Sequence, residues 1–296
     1  MTPPRVLIFT LFNETVSQSR RSYRLERDRS SLGWDYCKAA NECHFMSNNM
    51  RTAIVTGGGS GIGQAVGAAL CAAGWTVVIA GRKVEALERT RQLAQGSGLI
   101  ETQVADVTDD ASVEQLFDAV VERYGHLALL FNNAGINVAP VPLDQLSTAE
   151  LRSIIATNLL GSFLCARAAF RVMKAQTPQG GRIINNGSVS AYAPRPNSAP
   201  YTATKHGITG LTKSLVLDGR AFNSACGQID IGNATTDMSA RMATGAMQAN
   251  GTTMVEPRIS AKLVAEAVVH MANLPLEANI PFVTIMASGM PLYGRG

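Results

Sequence analysis

From Arg51 onward, short apolar runs alternate with longer amphipathic runs, and this alternation limits the fold more than any other feature of the chain. The apolar runs are rich in Val and Ile, as strands buried on both faces are. The pattern predicts a doubly wound α/β fold, with helices on both faces of one seven-stranded parallel sheet. The predicted strands are Thr52–Thr56, Thr76–Ala80, Glu101–Ala105, Ala128–Phe131, Arg182–Ser188, Gly227–Ile231 and Phe282–Met286. The predicted helices lie near residues 62–73, 83–95, 110–124, 148–175, 200–221 and 258–272.

Residues 1–49 have a different composition from the rest of the chain. Polar and charged segments dominate them, and no period of 2 or 3.6 residues is sustained. We expect a disordered or non-native N-terminal extension, since Met46 and Met50 are alternative starts. A single domain is expected over residues 50–296.

A glycine-rich turn, Thr56-Gly-Gly-Gly-Ser-Gly-Ile-Gly63, joins the first predicted strand to the first helix. Such a turn brings backbone N–H groups at a helix N-terminus close to a pyrophosphate. The strict Gly-x-Gly-x-x-Gly spacing is not met, and a merely flexible turn is the alternative reading. The position between a strand and a helix favours a dinucleotide site.

The end of the second strand bears on the choice of dinucleotide. An acidic residue there would hydrogen-bond a ribose 2′-hydroxyl and favour NAD. The chain instead has Arg82 and Lys83, which suit a 2′-phosphate. NADP(H) is therefore the preferred cofactor and NAD(H) the alternative, unless these two side chains only solvate a helix start.

Tyr201 and Lys205 stand four residues apart in a predicted helix, so they share one face. A cation beside a phenol lowers the pKa of the phenol and makes it a better proton donor. With a dinucleotide nearby, this pair predicts hydride transfer with a tyrosine as the proton-handling group. Tyr192 is a competing phenol, but no lysine follows it four residues later.

Together, these motifs resemble those of the classical short-chain dehydrogenase/reductase family, over essentially all of residues 51–296. The resemblance implies that Ser188 binds the substrate oxygen, Tyr201 transfers the proton, Lys205 holds the nicotinamide ribose, and Asn158 anchors a water molecule. Ser190 is an alternative donor to Ser188, and Asn158 could instead be a satisfied buried amide. The same resemblance, with the turn described above, gives the cofactor-binding candidates Gly57, Ser60, Gly61, Ile62, Gly63, Arg82, Asp106, Val107, Asn133, Ala134, Gly135, Tyr201, Lys205, Gly232 and Thr236.

The chain departs from that family's pattern after the sixth strand. Gly232 and Thr236 match, but Ile231 stands where the family has proline. The following segment, the family's substrate lid, contains Met238, Met242, Met247 and Met254. Methionines there suit a non-ionic or partly lipophilic carbonyl substrate, although ordinary packing explains them equally well.

The resulting functional hypothesis is an NAD(P)-dependent oxidoreductase that interconverts a carbonyl and a secondary alcohol, most simply an NADPH-dependent ketoreductase resembling 3-oxoacyl-carrier-protein reductases. The alternative is a regulator or scaffold that senses NADP(H) without turnover. An epimerase or dehydratase on the same fold would show no net cofactor oxidation.

Composition argues against other classes of partner and location. A net charge of +4 and the lack of a long basic run beyond the first 30 residues give no reason to expect nucleic acid. Five cysteines without Cys-x-x-Cys spacing predict reduced thiols in the cytoplasm and no metal site. Neither a signal peptide nor a membrane helix is predicted.

The family resemblance implies a homo-oligomer, a dimer or tetramer, formed through the helices predicted near 148–175 and 200–221 and the C-terminal strand.

Overall fold

The structure is a computed structural model and describes residues 51–236, 238–239 and 244–293. These residues belong to the compact unit Cys43–Gly296. The predicted extension over residues 1–49 lies outside the described residues, as do Met242 and the last three residues.

Seven parallel strands form one sheet, which confirms the predicted fold class. The order across the sheet is β7-β6-β5-β4-β1-β2-β3, so the order reverses beside β1. Ligands bind at such a reversal in open α/β sheets, outside the carboxyl ends of the strands. The strands are β1 Thr52–Thr56, β2 Thr76–Gly81, β3 Leu99–Val104, β4 Leu129–Asn132, β5 Gly181–Asn186, β6 Ser224–Ile231 and β7 Phe282–Ile285.

Helices cover both faces of the sheet and enclose two hydrophobic cores. Alternate residues of a strand face opposite sides, so Ala53 and Val55 of β1 join one core and Ile54 joins the other. The first core includes residues of α1 and α6, and the second includes residues of α3 and α4. The helices are α1 Gly61–Ala72, α2 Val84–Leu93, α3 Asp110–Tyr124, α4 Thr148–Ala175, α5 Ala199–Asp218 and α6 Ala261–Asn273.

Helix α4 is not a uniform α-helix. Its ends, Thr148–Ile155 and Gly161–Ala175, are α-helical, and a π-helical turn, Ala156–Leu160, joins them. By length and composition alone α4 could cross a membrane, but 56% of its apolar window is buried in the protein. Arg171 on its polar side donates to Glu114 and Asp118 of α3. We therefore interpret α4 as a core helix.

The strand bounds differ from the predictions at several ends. Strand β5 ends at Asn186, two residues before the predicted Ser188. The backbone N–H of Ser188 donates to the side chain of Asp230, at 2.9 Å, which takes this residue out of the strand ladder. Strand β6 begins at Ser224, three residues earlier than predicted, because it pairs with β5 from Gly181 onward.

The segment after β6 contains short strand pairs that the sequence did not predict. Ala234–Thr235 pairs with Ile259–Ser260, and Ala246–Met247 pairs antiparallel with Thr253–Met254. The antiparallel pair places Met247 and Met254 on a small exposed hairpin. Within the predicted lid segment, residues 246–254 form this hairpin.

Candidate active site

The glycine-rich turn at the end of β1 is built for close backbone approach. Gly57 and Gly61 have positive φ angles of 67° and 55°, which favour glycine. A Cβ atom on Gly63 would collide with the carbonyl oxygen of Gly57. Ser60 precedes α1 and makes no capping hydrogen bond with its side chain. The turn thus presents backbone N–H groups and a free hydroxyl at a helix N-terminus, which fits a pyrophosphate.

The segment after β4 is fastened to this turn. The Thr56 hydroxyl accepts hydrogen bonds from the backbone N–H groups of Asn133, at 2.9 Å, and Ala134, at 3.0 Å. The Asn133 amide donates to the Thr56 carbonyl at 2.8 Å, and Asn186 donates to Asn133 at 2.7 Å. Asn132 instead donates to the Ser162 carbonyl at 2.8 Å, inside the core. Asn133 therefore holds the ends of β1, β4 and β5 together.

Arg82, Asp106 and Val107 lie at the carboxyl ends of β2 and β3. Asp106 accepts hydrogen bonds from the backbone and hydroxyl of Thr108, at 2.9 and 2.8 Å, and these lower its pKa. The exposed Arg82 side chain lies 3.9 Å from the Asp106 carboxylate. An exposed ion pair of this kind stabilises little, so Arg82 can turn toward another anion. Val107 packs against Gly161 of α4, where a Cβ atom would not fit.

Ser188 is buried immediately after β5. The Asp230 carboxylate on β6 accepts its backbone N–H, and Gln228 donates to the same carboxylate oxygen at 2.7 Å. The Ser188 hydroxyl accepts the Ser190 backbone N–H at 3.1 Å, and Ser188 acts on the Tyr201 phenol to lower its pKa in part. Asp230 therefore fixes the backbone that carries the serine.

Tyr201 lies in the first turn of α5, after Pro200, a residue that suits a helix start. Its side chain is half-buried, and desolvation raises the pKa of the phenol above 10, against the effects of Ser188 and Arg195. The predicted lowering of the phenol pKa by Lys205 stays a prediction. The Lys205 amine lies 5.6 Å from the centroid of the tyrosine ring.

Lys205 follows one helical turn after Tyr201 and is buried. Its amine donates to the Asn186 carbonyl at 2.7 Å. Burial lowers the pKa of Lys205 to about 8, and the nearby Asp230 partly offsets this effect. The amine is thus largely charged at neutral pH and loses its charge around pH 8.

Asn158 lies in the π-helical turn of α4 and is buried. Its side-chain oxygen accepts the Ile136 backbone N–H at 2.7 Å, and its amide donates to the Ile136 carbonyl at 2.8 Å. Both halves of the amide are therefore used to hold the segment after β4. The water-anchoring role stays a prediction.

One cleft of about 250 Å³ joins these elements, and we call it the central cleft. Of the predicted site residues it is lined by Gly57, Ser60, Gly61, Ile62, Asn133, Gly135, Ser188, Tyr201, Lys205, Gly232 and Thr236. Gly63, Arg82, Asp106, Val107, Ala134 and Asn158 are not among its lining residues. Ser190, the alternative donor, also lines it, whereas Tyr192 points to Thr284, 2.8 Å from its hydroxyl.

The far wall of the central cleft follows β6. Thr236 approaches the turn closely, since a Cβ atom on Gly61 would lie 3.2 Å from its methyl group. The backbone N–H of Thr236 donates to the Ser239 hydroxyl at 3.1 Å. At the position of the missing proline, Ile231 keeps its backbone in the ladder with β7, opposite Ile285. The turn is therefore held by sheet pairing.

Sequence reasoning missed three charged residues of this region. Asp230 lies beneath Ser188, and Arg195 lines the central cleft in an ion pair with the buried Glu256. Asp230 in a run of apolar strand residues was the one available signal, because a carboxylate inside a buried strand demands partners. Within the described residues, no group of three or more His, Cys, Asp and Glu could hold a metal ion. Cys37 and Cys43 lie outside the described residues.

Known proteins resemble this chain in sequence and in fold. A family model described as short chain dehydrogenase matches residues 51–246. Levodione reductase from Leifsonia aquatica is 34% identical over 172 residues, which cover 57% of this chain and 63% of that protein. A 3β-hydroxysteroid dehydrogenase from Mediterraneibacter gnavus is 35% identical over 191 residues, or 64% of this chain and 67% of that protein. The crystal structure of levodione reductase superimposes with a TM-score of 0.72 at 27% identity, covering 80% of this chain and 96% of that one.

Proposed function

The chain belongs to the short-chain dehydrogenase family and is an NAD(P)-dependent oxidoreductase, and we propose that it acts as an NADPH-dependent ketoreductase. The reaction reduces a ketone to a secondary alcohol. One observation carries the proposal: a single cleft is lined both by the glycine-rich turn and by Ser188, Tyr201 and Lys205. The names of the relatives, a reductase of levodione and a dehydrogenase of a hydroxysteroid, support carbonyl and alcohol chemistry.

The cofactor would lie along the carboxyl ends of β1, β4 and β6. The N-terminus of α1 with Gly57, Ser60 and Gly61 would hold the pyrophosphate, and Lys205 would bind the nicotinamide ribose. When bound, NADPH supplies the hydride. The exposed guanidinium of Arg82 supports a preference for the 2′-phosphate of NADP(H) over NAD(H).

Two hydroxyl groups would bind the substrate carbonyl oxygen. Ser188 and Tyr201 both line the central cleft, so an oxygen placed between their hydroxyl groups would meet two donors. Negative charge grows on that oxygen as the carbonyl is reduced, and the donors stabilise it where it develops. Because its pKa is raised, Tyr201 is protonated at neutral pH and has a proton to give to the carbonyl oxygen.

Other residues would position this pair. Asn158 would fix Ile136 and the segment after β4, in addition to its predicted water-anchoring role. Gly232 and Thr236 would cover the nicotinamide from the β6 side, where they line the cleft. Asp106, Val107 and Ala134 would support the adenosine end by holding the backbone at the ends of β3 and β4.

We further propose that the protein forms a homo-oligomer, a dimer or tetramer, and works in the cytoplasm. Leu160 and Phe163 on α4 are large apolar residues with 48% and 45% of their surface exposed, which supports burial of α4 against another copy. The cysteines in the described part of the chain, Cys71, Cys165 and Cys226, are buried free thiols, as expected in a reducing compartment.

The test is NADPH oxidation, followed by absorbance, over a panel of ketones, with NADH in parallel. We expect turnover by the wild type with a higher kcat/KM for NADPH than for NADH. Tyr201→Phe should lower kcat by about 100-fold or more, since it removes a general acid, and should leave NADPH binding intact by fluorescence titration. Tyr192→Phe is the matched control and should keep wild-type rates, because this phenol faces Thr284. Tight NADPH binding without turnover of any ketone would favour a cofactor sensor instead.

A further inference from the structure

Arg195 is the charged side chain that faces the substrate end of the site. It lines the central cleft together with Tyr201, and its charge acts on the Tyr201 phenol. It also lines two adjoining recesses, one with Pro140 and Met247 and the other with Leu143 and Pro200. Groups of a substrate on either side of the reacting carbonyl would therefore lie against Arg195.

Glu256 neutralises this guanidinium from behind. Its side chain is completely buried, at 0% exposure, and pairs with the Arg195 Nη2 atom. Asn233 donates to the same carboxylate oxygen at 2.7 Å, and Gln248 donates to the other oxygen at 3.0 Å. Burial alone would raise the pKa of Glu256, but these hydrogen bonds and Arg195 outweigh it and hold the pKa below its usual value. The carboxylate is therefore ionised at neutral pH.

The second cation of the cleft also has a carboxylate nearby. Lys205 lies near the buried Asp230 carboxylate, and the two charges act on each other. Among the described residues that line the central cleft and the two recesses, the charged side chains are Arg195 and Lys205. Each of them thus faces a carboxylate that lies behind the cleft wall.

We propose that the Arg195–Glu256 pair makes the site selective for uncharged ketones and against keto acids. This inference rests on the proposed ketoreductase function. A substrate carboxylate would lose its hydration on entering the site. It would gain little from a guanidinium whose charge is already matched by a buried partner. A neutral ketone or ester pays no such cost and can still use the polar surface of Arg195.

The first test uses the wild-type enzyme and a matched pair of substrates, the best neutral keto ester from the ketone panel and its free keto acid. We expect kcat/KM for the ester to exceed that for the acid by about tenfold or more, because the carboxylate loses its hydration without meeting an uncompensated cation. Equal or better turnover of the acid would overturn the proposal.

The second test changes the charge balance. Glu256→Gln leaves Arg195 uncompensated and should raise the acid-to-ester ratio of kcat/KM by about tenfold or more. The double variant Arg195→Gln with Glu256→Gln should return the ratio to the wild-type value. Glu101→Gln is the matched control, since that carboxylate pairs with Arg123 on a different part of the protein, and it should leave the ratio unchanged.

A folded Glu256→Gln enzyme with an unchanged ratio would refute the inference. If that single variant does not fold, the wild-type ratio and the ratio of the double variant test the proposal instead. The double variant should still fold, because it buries no unpaired charge. Calorimetric binding of the ester and the acid to the NADPH complex needs no turnover. A missing activity would therefore count against the ketoreductase function, whereas acid binding as tight as ester binding would count against charge selection.

Discussion

Lys205 is a buried cation whose protonation depends on its surroundings. Desolvation brings its pKa down to about 8, and the Asp230 carboxylate is the neighbour that opposes this effect. Tyr201 moves in the opposite direction, because desolvation raises the pKa of a phenol and lowers that of an amine. Near neutral pH the site therefore holds a protonated phenol beside an amine that is largely charged.

This difference predicts the pH dependence of ketone reduction. Lys205 is charged below its pKa of about 8 and neutral above it, so the positive charge beside the reacting oxygen is lost as pH rises. We expect kcat/KM for the ketone to be level at lower pH and to fall above about pH 8, with Tyr201 still protonated. A profile of kcat/KM from pH 6 to 10 measures this fall.

The matched variant is Lys205→Arg, since a guanidinium keeps its charge over this range. Its rate should be lower, but the decline near pH 8 should disappear. Lys213→Met, which removes an exposed lysine from the same helix, should keep the wild-type profile. A wild-type profile that stays level to pH 9.5 would contradict the assignment of the ionisation to Lys205.

At the scale of elements, the junction of β5 and β6 sets the position of Ser188. A Cβ atom on Gly187 would collide with the Asp230 carboxylate and lie 2.7 Å from the Gln228 amide. Gly187→Ala should therefore push β6 from β5 and lower the free energy of unfolding by about 1–3 kcal/mol. It should also lower kcat, because Asp230 holds the Ser188 backbone. Urea denaturation and steady-state rates measure the two effects.

Gly210 of α5 provides the control for this substitution. A Cβ atom there meets no atom within 4 Å, and alanine is the better helix former. Gly210→Ala should raise the free energy of unfolding by about 0.5–1 kcal/mol with unchanged kcat. If Gly187→Ala is as stable and active as this control, the crowded contact with Asp230 does not position the serine.

The sequence pattern predicted every strand of the sheet, because an apolar run of Val and Ile has few other places to be buried. It could not predict the end of β5 at Asn186, since that end depends on Asp230 in another strand. The π-helical turn around Asn158 is equally invisible in the sequence, because its residues fit a continuous helix. Arg195 and Glu256 were missed because an ion pair between distant segments leaves no local pattern.

For the whole molecule, the parallel sheet explains why the site forms at all. Segments distant in sequence, from the glycine-rich turn to Tyr201, meet because parallel strands bring their carboxyl ends to one edge. The opposite end of the sheet serves stability instead. There the buried Arg182 donates to the carbonyl groups of Leu274, Pro275 and Ala278, just past the end of α6. The molecule thus separates a reactive edge from a structural one.

The outer side of α4 carries exposed apolar residues, and the proposed homo-oligomer would cover them. Phe163→Glu places a charge on this surface next to Leu160, and burying an unpaired carboxylate in an interface is costly. We expect the wild type to elute as a dimer or tetramer and Phe163→Glu to shift toward the monomer, as measured by light scattering at micromolar concentration. Leu93→Glu on α2 is the matched control, since Leu93 is also apolar and 66% exposed, and it should keep the wild-type mass. A monomeric wild type, or a Phe163→Glu variant of unchanged mass, would show that α4 is not the interface.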